Sequence, residues 1–279
     1  MSKSSSLASG YNNIGLIYSK LGRYELANEY FFKSIDICLK LNGEGNSYLV
    51  LANCYLNLGD SYKNTGEVGD ILVYTKKAFD IIMELYGAEN PNSTRFYHKM
   101  GMAHIFSDGD LDKALGYFKK GLELTKRRDP KSSLLSAINN NIGIIYKQKG
   151  EYELALSYYQ SALEVFTSQN IEKHKGVAIA CNNIGALYVL LEDYGKAIQY
   201  LARSIQIKTE LFGEDYKEIA DSYENLGSIQ GTKGDYRKAE EYFQKSLDIL
   251  IKNFGSESVI CTRGYNYLAE NAKNEKRTE

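Results

Sequence analysis

The sequence predicts an all-α fold, a right-handed superhelical solenoid built from antiparallel helix pairs. The first observation is that only 2 Pro occur among 279 residues, which leaves room for long uninterrupted helices. The second is a unit of about 42 residues that recurs along the chain. The third is the spacing of apolar and small residues by three, four and seven, which places them on one helix face. Neither helix of a pair can bury that face alone, so stacked pairs are expected to share a continuous core.

Each unit is anchored on a glycine of its opening motif. The first step between anchors is 44 residues and the next four are 42 residues each. The anchors are Gly15, Gly59, Gly101, Gly143, Gly185 and Gly227, and one further step of 42 leads to Ala269. We therefore predict a single array over 1–279, with six full repeats at about 8–46, 47–91, 92–131, 132–173, 174–215 and 216–257, a capping helix at 258–274 and a tail at 275–279.

Further positions recur at fixed distances after the anchor. Seven residues on stands a glycine in most repeats, with Glu192 in the fifth, and a glycine there fits the end of the first helix. Sixteen residues on stands a large side chain, with Thr75 as the exception in the second repeat. The residue nineteen positions on is small, and a small residue stacked against a large one lets two helices approach closely. The third repeat carries one extra residue in its turn, at SDGD.

This pattern, apolar-Gly-x-x-Tyr followed by Gly-x-Tyr-x-x-Ala-x-x-x-Phe-x-x-Ser/Ala, resembles the tetratricopeptide repeat. The 42-residue period and the joining segments LYGAENPNS, LFGEDYKE and NFGSESVI are most similar to the kinesin-light-chain type of that repeat. The resemblance implies that the first helix of each repeat lines a concave groove. It also implies that the groove binds a protein or peptide ligand.

The side-chain inventory argues against an enzyme and against other ligand classes. The histidines His98, His104 and His174 are dispersed, and no metal-ligand spacing or cofactor motif is present, so we predict neither metal nor cofactor. A net charge of −1 gives no general attraction to nucleic acid or membrane. No apolar run has the length of a membrane span, and the scattered cysteines fit reduced, mostly buried thiols. We therefore expect a cytoplasmic protein.

Asparagines recur in front of the anchor glycine. Two residues before it stand Asn13, Asn57, Asn141, Asn183 and Asn225, and three residues before it stand Asn12, Asn140 and Asn182. One interpretation is an amide ladder that hydrogen-bonds the backbone of a bound peptide, because an amide offers both donor and acceptor. The other is that each Asn bonds a neighbouring helix or is a tolerated polar residue. The predicted peptide-binding residues are Asn13, Asn57, Arg95, Lys99, Asn140, Asn141, Lys147, Asn182, Asn183 and Asn225.

Charged residues on the same stripe differ between repeats. The middle of the predicted groove is basic, with Arg95, Lys99 and Lys147, and its C-terminal end is acidic, with Asp221 and Glu224. Some family members hold the C-terminus of a peptide with a set of polar side chains called the carboxylate clamp. The resemblance places Asn57, Arg95 and Lys99 at three positions of that clamp. The clamp is incomplete, since Asn12 and Leu16 stand where Lys and Asn are expected. A preference for acidic peptides remains as one interpretation, and solvated surface cations are the other.

The sequence thus predicts a non-enzymatic scaffold or adaptor whose groove binds an extended or helical segment of a partner protein. Two alternatives stay open at this point. One is a peptide-sensing regulator, in which ligand binding changes the pitch of the superhelix. The other is a structural, self-associating repeat array.

Overall fold

The computed structural model describes residues 3–42 and 46–278, and those residues form α-helices joined by short turns, with no strand among them. Thirteen α-helices are found in these ranges: α1 Lys3–Lys20, α2 Tyr24–Lys40, α3 Ser47–Thr65, α4 Val68–Tyr86, α5 Thr94–Ser107, α6 Leu111–Arg128, α7 Ser133–Gln148, α8 Tyr152–Thr167, α9 Lys175–Leu190, α10 Tyr194–Phe212, α11 Ala220–Thr232, α12 Tyr236–Phe254 and α13 Val259–Thr278. Short 3-10 turns at Pro91–Ser93 and Lys217–Ile219 precede α5 and α11. The all-α repeat fold predicted from the sequence is confirmed.

The helices group into two compact units. The first, Met1–Pro130, contains the three helix pairs α1–α2, α3–α4 and α5–α6. The second, Lys131–Glu279, contains the pairs α7–α8, α9–α10 and α11–α12, followed by α13. Within each unit, successive helices pack against one another and the first helices of consecutive repeats also touch. The single array over 1–279 stays a prediction.

The two ends of the chain differ from the predicted boundaries. Helix α1 begins at Lys3, before the predicted start of the first repeat at residue 8. Helix α13 begins at Val259, close to the predicted capping helix, but continues to Thr278 through most of the predicted tail. Residues 273–278, KNEKRT, contain good helix formers and no Gly or Pro to stop the helix. Glu279 lies outside the described residues.

The predicted turn glycines end the first helices. Gly66 caps α3 with a φ of 85°, and its N–H donates to the carbonyl of Tyr62. In the fifth repeat Glu192 takes the same left-handed conformation with a φ of 58°, which costs free energy for a side chain with a Cβ. The short turn brings the second helix back against the first.

The core is formed where the second helix packs on the anchor glycine. Tyr159 is fully buried against Gly143, and Phe31 is fully buried against Gly15. Tyrosines three residues after the anchor stack on tyrosines of the second helix, as between Tyr146 and Tyr158 with ring centroids 5.5 Å apart. These aromatic residues therefore pack between the two helices of a repeat.

Three further features concern the cysteines, the apolar length of the helices and the metal-ligating side chains. The cysteines Cys38, Cys54, Cys181 and Cys261 are buried and free. Across the described ranges, no helix is both long and apolar enough to cross a membrane. Nor do the described side chains bring together three His, Cys, Asp or Glu that could hold a metal ion.

Candidate functional site

The asparagine ladder links the first helices of consecutive repeats. In the first unit, Asn57 Nδ2 donates to Asn12 Oδ1 over 2.8 Å, which joins α3 to α1. In the second unit, Asn183 Nδ2 donates to Asn140 Oδ1 over 3.1 Å, which joins α9 to α7. Each bond therefore connects the amide two residues before one anchor with the amide three residues before the preceding anchor.

A second donor position contributes to the same links. Ser222 Oγ donates to Asn182 Oδ1 over 2.6 Å, and Cys54 Sγ contacts Asn12 Oδ1 at 3.3 Å. Both donors stand five residues before their anchor glycine. Five of these asparagines thus form hydrogen bonds between helices without a ligand, namely Asn12, Asn57, Asn140, Asn182 and Asn183.

The ladder amides keep part of their hydrogen-bonding capacity. An Asn side chain offers two N–H donors and one oxygen with two lone pairs, and the link uses one N–H of Asn57 and one of Asn183. Asn13 is exposed, and Asn141 and Asn225 at the same repeat position are half-buried. Among the described residues, the side chains of Asn13 and Asn225 form no hydrogen bond. Asn140, in contrast, is buried and also donates to the carbonyl of Ser136.

The cations of the predicted basic region are mostly engaged within the first unit. Lys99 Nζ lies 2.6 Å from Asp60 Oδ2, and Arg95 donates to Asn53 Oδ1. Lys147, in the second unit, is half-buried, and desolvation lowers the pKa of its ammonium group. Positive charge is therefore present on these helices, but that of Lys99 is largely balanced by Asp60.

The acidic end is organised by Arg263 of α13. Arg263 Nη2 lies 2.6 Å from Asp221 Oδ1 and 2.9 Å from Glu224 Oε2. Glu224 is buried and also accepts a hydrogen bond from Ser246 Oγ over 3.2 Å. Burial is the largest influence on Glu224 and raises the pKa of its carboxyl group, while Arg263 acts in the opposite direction. Glu224 is thus a buried, paired group that contributes little acidic surface.

Sequence reasoning missed the partners Asn53, Asp60, Ser222 and Arg263. For Asn53 and Arg263 the period carried the signal, because each meets the side chain at the same repeat offset on the neighbouring first helix. Asn53 and Arg95 are 42 residues apart, as are Asp221 and Arg263. Pairs of complementary side chains one period apart therefore indicate links between repeats.

Each unit has a pocket beside its first helices. The pocket of the first unit has a volume of about 70 Å³ and lies between α3, α4 and α5. The pocket of the second unit has a volume of about 200 Å³ and lies between α11, α12 and α13. Both are lined by the residues one, four and sixteen positions after an anchor, namely Asp60, Lys63 and Thr75 in the first and Ser228, Gly231 and Phe243 in the second. The pockets thus occupy equivalent places in two repeats.

The link between Asn140 and Asn183 is expected to contribute about 1 kcal/mol to the free energy of unfolding. Asn140→Ala, Asn183→Ala and the double variant form a double-mutant cycle, with unfolding in urea as the measurement. The matched control pairs Asn140→Ala with Asn225→Ala, whose side chains are not bonded to each other, and is expected to be additive. If the coupling free energy between Asn140 and Asn183 is no larger than that of the control pair, the hydrogen bond between them does not stabilise the protein.

Helix pairs that recur at a fixed period and pack on one another are the defining feature of helical-repeat proteins. Within that class, the chain belongs to the tetratricopeptide repeat family. One family model described as tetratricopeptide repeat matches residues 134–210 and 177–252, and a second matches residues 8–40. Proteins of this family generally mediate protein–protein interactions.

The relatives agree with the kinesin-light-chain style of repeat. Protein KINESIN LIGHT CHAIN-RELATED 2 of Arabidopsis thaliana is 26% identical over 160 residues, which cover 56% of this chain and 24% of the relative. Photosystem I assembly protein Ycf3 of Acaryochloris marina is 33% identical over 97 residues, covering 33% of this chain and 55% of the relative. The chain thus spans about a quarter of the kinesin-light-chain-related protein.

Solved structures share the fold at low sequence identity. The crystal structure of BtubC (BKLC) from P. vanneervenii has a TM-score of 0.68 at 23% identity and covers 84% of this chain and 94% of its own. The apo form of RapI has a TM-score of 0.63 at 16% identity and covers 97% of this chain and 99% of its own. At these identities the similarity is one of fold.

Proposed function

We propose that this protein is a non-enzymatic adaptor that binds an extended or helical peptide segment of a partner protein along the first helices of its repeats. The family supports the general role, since its members mediate protein–protein interactions. The observation that carries the finer proposal is the row of amides at repeat spacing, of which Asn13 and Asn225 make no hydrogen bond among the described residues. A free amide can pair with any peptide backbone, because it offers a donor and an acceptor.

The structure changes which amides are best assigned to a ligand. Asn57, Asn140, Asn182 and Asn183 are used in links between helices, so their replacement would alter stability as well as binding. Asn13 and Asn225 occupy the same position of their repeats without such a link and are the informative positions. The proposal also places the adaptor in the cytoplasm and gives it a preference for acidic segments, which Lys63 and Lys147 would attract by charge.

The variant Asn13→Ala/Asn225→Ala is expected to lose partner affinity without losing stability. Each lost hydrogen bond to a peptide corresponds to about 1 kcal/mol, or roughly a fivefold weakening. The measurement is capture of partner proteins on immobilised protein, quantified by mass spectrometry, together with the melting temperature.

The matched control for this experiment is Gln160→Ala, which removes an exposed amide from the second helix α8. The control is expected to capture the same partners in the same amounts as the unmodified protein. If the double variant and the control capture identical sets, the ladder amides do not bind a ligand.

A further inference from the structure

Helix α1 exposes an apolar face, formed by Leu7, Gly10, Ile14, Ile17 and Leu21. The spacing of three and four residues between them is that of a seam between two helices. Leu7, Ile14, Ile17 and Leu21 are 51%, 37%, 58% and 66% exposed, and a Cβ added at Gly10 would meet no atom within 4 Å. Within the part of the chain that the structure describes, this face of α1 is therefore left open.

The same positions are buried between repeats further along the chain. Counted from the anchor glycine, Ile14 and Ile17 correspond to Leu226 and Ile229 of α11. Leu226 and Ile229 are buried and share a core cluster with Leu201 of α10, the second helix of the preceding repeat. These positions thus receive a neighbouring helix in an interior repeat, and on α1 they have the composition for such a contact without the helix.

The apolar face of α1 suits pairing with itself. Two identical subunits related by a two-fold axis bring the same surface patch together, so the patch has to be self-complementary. Residues 4–19 of α1 include no charged side chain. Two copies of this face can therefore meet without burying like charges against one another. An exposed apolar stripe of this kind marks an interaction site in a soluble protein.

Helix α13 offers no matching face for a head-to-tail contact. Its exposed large apolar side chains are confined to its first turns, at Val259, Ile260 and Tyr265. Residues 269–278, AENAKNEKRT, are otherwise polar or charged. An α1 helix laid along α13 of another copy would bury half of its apolar face against these polar side chains. Pairing of α1 with α1 covers the whole face in both copies.

We propose that two copies of this protein pair through the apolar face of α1 to form a closed dimer. One helix from each copy makes a small interface, so we expect a dissociation constant on the order of micromolar. The inference goes beyond the proposed function, because the contact needs no partner protein of another kind.

Sedimentation equilibrium of the full chain over a concentration series measures the pairing. The mass is expected to rise from the 31.5 kDa of one chain to twice that value and to stay there. A mass that remains that of one chain at roughly 100 times the expected dissociation constant would overturn the proposal. So would a mass that continues to rise, because open chains grow from head-to-tail contacts.

The decisive variant is Ile17→Arg, which places one charge from each copy in the contact. The dissociation constant is expected to rise by about 100-fold or more, because two like charges would be buried together. The matched control is Leu190→Arg in α9, where the replaced side chain is 52% exposed, and this variant is expected to pair like the unmodified protein. Unchanged pairing in Ile17→Arg, or equal weakening in the control, would contradict the assignment of the face.

A fluorescence measurement keeps the test decisive if Ile17→Arg loses helix content in circular dichroism. The chain contains no Trp, so Leu21→Trp supplies a single reporter on the apolar face of α1. Its emission is expected to shift to shorter wavelength as the mass doubles, whereas the emission of Leu190→Trp is expected to stay constant. If the mass doubles and the emission of Leu21→Trp does not change, the contact lies elsewhere and the proposal is wrong.

Discussion

Gly143→Ala is expected to destabilise the protein by about 1–3 kcal/mol, although alanine is the better helix former by about 1 kcal/mol. A Cβ at this position would lie 2.5 Å from Tyr159 Cε1 and 3.2 Å from the carbonyl oxygen of Ala155. The Tyr159 side chain is fully buried, so its ring has no open space into which to move. The added methyl group must therefore push the second helix away from the first.

Unfolding in urea followed by circular dichroism measures this effect. The matched control is Gly116→Ala in α6, where an added Cβ meets no atom within 4 Å and the residue is exposed. That variant is expected to be more stable by up to about 1 kcal/mol, because only the helix propensity changes. If Gly143→Ala shows the same gain as Gly116→Ala, the tight approach at the anchor glycine is not a determinant of stability.

Arg263→Ala is expected to destabilise the second unit by about 2 kcal/mol at neutral pH. The change leaves the buried carboxylate of Glu224 without its cationic partner, and breaking a buried ion pair typically costs about 3–5 kcal/mol. We expect the smaller loss of about 2 kcal/mol because 53% of the Arg263 side chain is exposed to solvent, which weakens the ion pair. The simultaneous loss of the contact with Asp221 adds little, since both of those side chains are exposed.

The loss in Arg263→Ala is expected to grow with pH. The pKa of Glu224 is raised in the folded protein, mainly by burial and further by Asp221, while Arg263 and Ser246 lower it. A raised pKa means that the folded state binds the proton more tightly, so stability falls as pH rises through the folded value. Removing Arg263 raises this pKa further. The difference in the free energy of unfolding between the variant and the unmodified protein is therefore largest at pH values above the pKa of Glu224.

Urea unfolding at pH 4 and at pH 7.5 checks the direction of this dependence. The control background is Glu224→Gln, which carries no charge at either pH. In that background, Arg263→Ala is expected to cost well under 1 kcal/mol and to show little dependence on pH. A loss that is independent of pH, or that is equal in both backgrounds, would mean that Arg263 stabilises α13 by other contacts.

Much of the fold followed from the period and from local chemistry. The same residue types recur in the repeats because the two helices of each repeat pack together in the same way. Examples are the anchor glycines, the turn glycines such as Gly66 and the large side chains such as Tyr159. The end of α13 was less predictable, since Lys, Glu and Arg continue a helix as readily as they form a polar tail. The outer limits of a repeat pattern do not have to coincide with the ends of its helices.

The sequence by itself determined the helix pairs, their order and the stripe on which the asparagines lie, because these depend on residues close together in the chain. The tertiary structure decided what the asparagines bond, how Lys99 is paired and where a pocket remains beside Thr75. Those outcomes depend on which side chains of consecutive first helices meet across one period. Packing between repeats sets this, and the pattern within a single repeat does not contain that information.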